Sequence, residues 1–189
     1  TALDLGGPKA IRWPRGKVAR AANAPVEDWP ELAWGSWEVL KDGRKACILA
    51  FGSTLAYALE AAEEVPGVGV VNARFAKPLD TELLLALAHE GVPLVTVEDH
   101  QLAGGLGSAV AEALVDHGIA VPLRRLGIPD CSVPHGDPKA QHQLLGLGTA
   151  SILRALQELG VAGAHPRIAT DVETAVDAKV ETKALEASD

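Results

Sequence analysis

The sequence has no methionine at any position and only two cysteines, Cys47 and Cys131, in 189 residues. Two cysteines so far apart match no metal-ligand spacing and build no disulfide framework, so two reduced thiols are expected. Aromatics are scarce too, with two Phe, one Tyr and four Trp, which leaves no stacking platform for single-stranded nucleic acid. Positive charge is in the minority: 17 Lys and Arg stand against 25 Asp and Glu, a formal net charge of −8. Nucleic acids and anionic membranes require a concentrated basic surface, so neither is expected as a partner. No apolar run approaches the ~20 residues that cross a bilayer. The opening residues, Thr1-Ala2-Leu3-Asp4, lack the basic start and apolar stretch of a secretory signal. The expectation is a soluble, acidic, cytoplasmic protein. The missing methionine at position 1 fits an excised initiator or a chain cut from a longer protein, and residues further along favour the cut.

What is present is a chain with a 48% hydrophobic fraction, enough for one cored domain with an appendage. Residues 8–15 read as a short strand, since Pro14 holds Trp13 extended and Gly16 allows a sharp exit. Residues 16–34 show no sustained period and carry Asn23, Pro25 and Pro30, which marks a connector and a domain boundary. Beyond it the pattern is regular. Strands are predicted over residues 36–40 and 46–51, the second apolar throughout as in a strand buried on both faces. Ser53 or Thr54 caps a helix running to about Glu64. Further strands fall at 69–73, 93–98 and 121–126, and helices at 80–90, 107–117, 138–145 and 149–159. This alternation predicts an α/β fold of three layers, α/β/α, around a mostly parallel sheet. Residues 161–189 lose the pattern and are expected to form a mobile tail.

The candidate chemistry is thin. Gly104-Gly105-Leu106-Gly107-Ser108 lies between a strand and a helix, where backbone amides can receive a phosphate. It matches no dinucleotide or phosphate-loop fingerprint, and the favoured reading is that its glycines serve a tight turn and close helix-to-sheet packing. Glu98-Asp99-His100 ends a strand, where α/β proteins place function. The period of two sends Glu98 and Asp99 to opposite faces, so they are not one pair. His89, His117, His135, His142 and His165 show no metal spacing and read mostly as surface residues. His135, in the rigid Val133-Pro134-His135-Gly136 turn, is the one kept in view. No Gly-x-Ser-x-Gly nucleophile elbow occurs. Arg12 and Arg15 are the ligand candidates, because an arginine at a strand end beside a glycine presents an unobstructed fork to phosphate. A solvated or salt-bridged arginine is the alternative.

Several segments together resemble the C-terminal region of transketolase-type thiamine-diphosphate enzymes, and among them the 1-deoxy-D-xylulose-5-phosphate synthase family. They are Gly7-Pro8-Lys9-Ala10-Ile11-Arg12-Trp13-Pro14-Arg15-Gly16, Ile48-Leu49-Ala50-Phe51-Gly52-Ser53 and Asn72-Ala73-Arg74-Phe75-Ala76-Lys77-Pro78-Leu79-Asp80. Val95-Thr96-Val97-Glu98-Asp99-His100 follows, running into the glycine loop, then Leu126-Gly127-Ile128-Pro129-Asp130 and Val133-Pro134-His135-Gly136. They keep the family's order over residues 7–147; the aspartate usual near Gly148 is missing, and the tail from Val161 matches nothing in the family.

The resemblance implies residues 1–20 as the end of a middle, pyrimidine-binding domain, 21–35 as a linker and 36–160 as the C-terminal domain. It implies condensation of pyruvate with glyceraldehyde 3-phosphate, releasing CO2, in the supply of isoprenoid precursors, thiamine and pyridoxal. Thiamine diphosphate and Mg2+ would sit on the N-terminal and middle domains, leaving this chain without cofactor, catalytic residue or activity of its own. Its role would be to support a homodimer and the acceptor site. Arg15 matches the position that contacts the acceptor phosphate; Arg12 keeps only its structural case; Arg74 reads as a domain or subunit contact. A pyruvate dehydrogenase beta subunit, a half-gene transketolase and a non-catalytic interaction module of the same fold are the rival readings.

Overall fold

The computed structural model describes residues 1–12 and 30–164. Five strands and five α-helices follow in chain order: β1 (Glu38–Lys41), β2 (Ala46–Phe51), α1 (Leu55–Glu64), β3 (Val68–Asn72), α2 (Thr81–His89), β4 (Leu94–Gln101), α3 (Leu106–Asp116), β5 (Leu123–Ile128), α4 (Pro138–Leu144) and α5 (Thr149–Glu158). They make one sheet of order β1-β3-β2-β4-β5. Four strands are parallel; β1 runs antiparallel to β3, with Val39 opposite Val71 and a bulge before Lys41. The three-layer α/β reading therefore holds, with β1 as an antiparallel edge.

Alternation along the strands divides the core. Ala46, Ile48 and Ala50 of β2, Val68 and Val70 of β3, and Val95 and Val97 of β4 face α1 and α5. Cys47 and Leu49, Val71 and Leu94 point the other way, against α2 and α3. Strands buried on both faces cannot show polar alternation, which is why their sequences read as apolar runs. The α1–α5 side is closed by small residues, Ala58, Ala61 and Ala62, against Ile152, Leu153 and Leu156. Val161 and Ala164 are also buried there, so the packed unit continues past α5 into the first residues assigned by pattern to a tail.

Two local expectations change. The side chain of Thr54 does not cap α1; its hydroxyl donates to the carbonyls of Phe51 (3.1 Å) and Val97 (2.9 Å), tying the turn after β2 to β4. Residues 8–12 form no strand, since the described residues offer them no ladder to join, and residues 13–15 lie outside the described ones. Asp80, by contrast, caps α2 as its position suggests. Its Oδ1 accepts from the amide of Leu83 (3.0 Å) and its Oδ2 from that of Trp37 (2.7 Å), which pins the entry to β1 onto α2.

Candidate functional site

Chain connectivity decides where this sheet can open. From β2 the chain moves to one side through α1, and β4 returns to the other side of β2, with α2 and α3 on the opposite face. A crevice forms outside the carboxyl ends of strands at such a reversal. A cavity of about 480 Å3 lies there, with Phe51, Asn72, Asp99 and Ile128 from the ends of β2, β3, β4 and β5 in its wall. Besides Asn72 and Asp99, its polar groups are Arg12, Ser53, Arg74, Gln141 and His142. Gly52 starts the turn that carries Ser53 at φ +69°, a conformation few residues other than glycine adopt.

Each charged side chain is held differently. Arg74, two residues past β3, donates through Nε to the Ser36 carbonyl (2.9 Å) and through Nη2 to the Ser36 hydroxyl (3.1 Å), and it pairs with Glu38 (3.3 Å). A guanidinium fixed from behind in this way loses little freedom on meeting a ligand. Sequence reading held Arg74 as a structural contact; the structure places it in the cavity wall as well. Arg12 stands at the same cavity, half-exposed, with Nη2 3.8 Å from Asp99 Oδ2. Arg15 lies outside the described residues.

His142 corrects the reading of the histidines as surface groups. It is buried at the cavity wall, its Nε2 3.4 Å from Asp99 Oδ2 and its Nδ1 3.3 Å from the Tyr57 hydroxyl. The Tyr57 and His142 rings meet edge to face at 5.7 Å. Burial, with the charges of Glu60, Asp137 and Asp99, holds the Tyr57 phenol above its ordinary pKa. The sequence carried one signal for this placement. Asp137 before Pro138 is a helix start, and its carboxylate accepts from the amides of Lys139 and Ala140. His142 sits on the helix so begun, beside the end of β4. His135 and His100 are exposed and do not line the cavity, and His165 lies outside the described residues.

Glu98 and Asp99 separate as alternation requires. Glu98 turns to the start of α3, where its Oε2 accepts from the Leu106 amide (2.7 Å) and its Oε1 from the Gly107 amide (2.8 Å). The helix N-terminus where a phosphate could have sat is thus filled by the chain's own carboxylate. The loop glycines serve that fit: a Cβ on Gly105 would fall 2.2 Å from Glu98 Oε2. The packing reading of the glycine loop is the correct one. Both cysteines are free, Cys131 exposed and Cys47 buried; burial, then the charge of Asp42, pushes the Cys47 thiol up to about 12, so it is inert as a nucleophile near neutral pH.

With this geometry in view, the chain matches the family described as "Transketolase, C-terminal domain" over residues 35–152. The chain belongs to the transketolase C-terminal domain family. Among curated relatives, a 1-deoxy-D-xylulose-5-phosphate synthase of Thermus thermophilus is 54% identical over 166 residues, covering 88% of this chain and 26% of that protein. The enzyme of the same name from Acidovorax ebreus is 48% identical over 158 residues, covering 84% and 25%. This transketolase C-terminal domain chain therefore spans about a quarter of the length of the curated relatives it matches. A solved structure titled "Split gene transketolase, inactive beta4 tetramer" superposes with a TM-score of 0.64 at 35% identity, covering 70% of this chain and 45% of that one. No helix among the described residues is long and apolar enough to cross a membrane.

Proposed function

We propose that this chain is the C-terminal part of a 1-deoxy-D-xylulose-5-phosphate synthase, a thiamine-diphosphate- and Mg2+-dependent transferase that condenses pyruvate with glyceraldehyde 3-phosphate and releases CO2. On this reading residues 1–20 belong to the middle domain, residues 21–35 are a linker and residues 36–160 form the C-terminal domain of a cytoplasmic homodimer. The observation that carries the reading is the pair of guanidiniums, Arg12 and Arg74, in the wall of one cavity at the carboxyl edge of the sheet. Arginine forks suit a phosphate monoester, and a clamp on that remote group spends binding energy on orienting the aldehyde. Arg15 joins them by its place in the sequence.

The described residues do not fit the cofactor. Among them no group of three His, Cys, Asp or Glu side chains gathers to hold a metal, and the α3 amides, the helix N-terminus open to a diphosphate by position, are taken by Glu98. No reaction step is assigned to this chain; its share is to bind and orient the acceptor. In the complete enzyme, Arg74→Ala and Arg15→Ala should each raise the KM for glyceraldehyde 3-phosphate about 30-fold, the equivalent of roughly 2 kcal/mol for a lost charge-assisted contact. The KM for pyruvate should stay within about twofold, since RT ln 2 is roughly 0.4 kcal/mol, less than one lost contact. Unchanged acceptor KM values in both variants would refute the assignment.

The split-gene transketolase neighbour favours a second reading, in which this chain is one of two separately encoded halves. Steady-state comparison of pyruvate with ketose phosphates as donors distinguishes the two.

A further inference from the structure

We propose that Asp99 and His142 form a proton-responsive wall of the anion cavity, in which protonation of His142 offsets the Asp99 carboxylate and strengthens binding of a dianionic, phosphate-like group. This rests on the reading of the cavity as an anion site. Three groups converge on the single oxygen Asp99 Oδ2: Ser53 Oγ at 3.4 Å, His142 Nε2 at 3.4 Å and Arg12 Nη2 at 3.8 Å. All three are longer than the roughly 2.7–2.9 Å of a closed charge-assisted contact. Asp99 is therefore near Arg12 without consuming it, and it opposes any anion that Arg12 engages.

The only described group in the cavity wall that can reverse this opposition near neutral pH is His142. Its partners suit titration. Asp99 Oδ2, 3.4 Å from Nε2, is placed to receive a charged ring, and the Tyr57 hydroxyl, which both donates and accepts, satisfies Nδ1 whether or not it carries hydrogen. The charged and titratable groups facing His142 are Asp99 from β4, Tyr57 from α1 and Arg12 from the N-terminal segment. Asp137 at the start of α4 and Glu60 on α1 lie further out around Tyr57. With a neutral imidazole the wall sets two guanidiniums against one carboxylate, and Glu38 already pairs with one of them. With an imidazolium the carboxylate is matched locally and both guanidiniums face the ligand. Anion binding and proton uptake by His142 are then linked.

Sulfate is the probe, because it stays a dianion across this range whereas phosphate itself titrates. Isothermal titration of the 189-residue chain with sulfate at constant ionic strength should give binding about tenfold tighter at pH 5.5 than at pH 8.0. His142→Gln should reduce that ratio to about twofold, with His100 and His135 still present as controls for general charge effects. Asp99→Asn should bind sulfate more tightly than the parent at pH 8.0. A full pH ratio in H142Q overturns the proposal. Should that variant not fold, the imidazole 15N titration of His142 in the parent chain decides: an upward shift of its midpoint with sulfate supports the proposal, and an unmoved midpoint overturns it. Sulfate binding lost in R74A while H142Q keeps the parent's pH ratio leaves the anion site standing and removes only the role of His142. No binding at either pH removes both.

Discussion

Glu98 and Asp99 are neighbours in the sequence with the same functional group, and one covalent step gives them unrelated tasks. Glu98 is almost fully buried with both oxygens occupied by α3 amides, and it adds a negative charge where the helix dipole favours one. Asp99 is nearly a third exposed and faces the cavity. Removing the Glu98 carboxylate leaves two buried amides without acceptors, at about 3 kcal/mol. Glu98→Ala should therefore lower the unfolding free energy by that amount, read as a lower urea midpoint at an unchanged slope. Glu98→Gln should lose nearly as much, because an amide side chain offers an acceptor to one of the two N–H groups and turns a second donor toward the other. A loss below about 1 kcal/mol in both variants would mean that water or a shifted backbone replaces the carboxylate.

At the scale of elements, most of the fold was legible because each βα unit carries its own period and its own stops. The apolar run 46–51 and the helical stretch 80–90 announced β2 and α2 within a residue or two of their observed ends. The direction of β1 was not legible, since four residues with an exposed face look the same in either orientation. Nor was the Thr54 hydroxyl, whose partner on β4 is 43 positions away. The site followed the same division. The edge of the sheet and Asp99 were readable from strand ends, whereas His142 and the full setting of Arg74 depend on α4 and Ser36 arriving from elsewhere in the chain. Asp80 shows how such distant arrivals are fixed. It caps α2 and holds the Trp37 amide together, so Asp80→Ala should cost about 2 kcal/mol, more than a cap alone at ~1 kcal/mol. It should also loosen the β1 edge. Chemical denaturation gives the first quantity, and amide exchange at Asn72, which pairs with Glu38 of β1, reports the second. A loss no larger than that of an ordinary cap, with unchanged exchange, would show that Trp37 Nε1 on the Phe75 carbonyl (2.9 Å) secures the edge unaided.

On the scale of the whole molecule, the described residues hold a five-stranded sheet, two apolar cores and an arginine-lined cavity, yet the chain covers about a quarter of its curated relatives. A part that binds only the acceptor's anion should respond to that anion and ignore the cofactor. A ligand held at 100 times its Kd adds about 2.7 kcal/mol to the folded state, and each kcal/mol moves the melting temperature of a chain of 150–250 residues by about 2–4 °C. Sulfate or glyceraldehyde 3-phosphate at such a concentration should therefore raise the melting temperature by about 5–10 °C, and R74A should abolish most of the rise. Thiamine diphosphate with Mg2+ is itself a phosphate ester, so a small rise that R74A also removes marks occupancy of the anion cavity. A cofactor-dependent rise that survives in R74A and requires Mg2+ contradicts the division of labour proposed here, because binding would then rest on groups other than the guanidinium fork. The contrast between the two ligands in the two proteins separates a chain that orients the acceptor from one that also holds the machinery of the reaction.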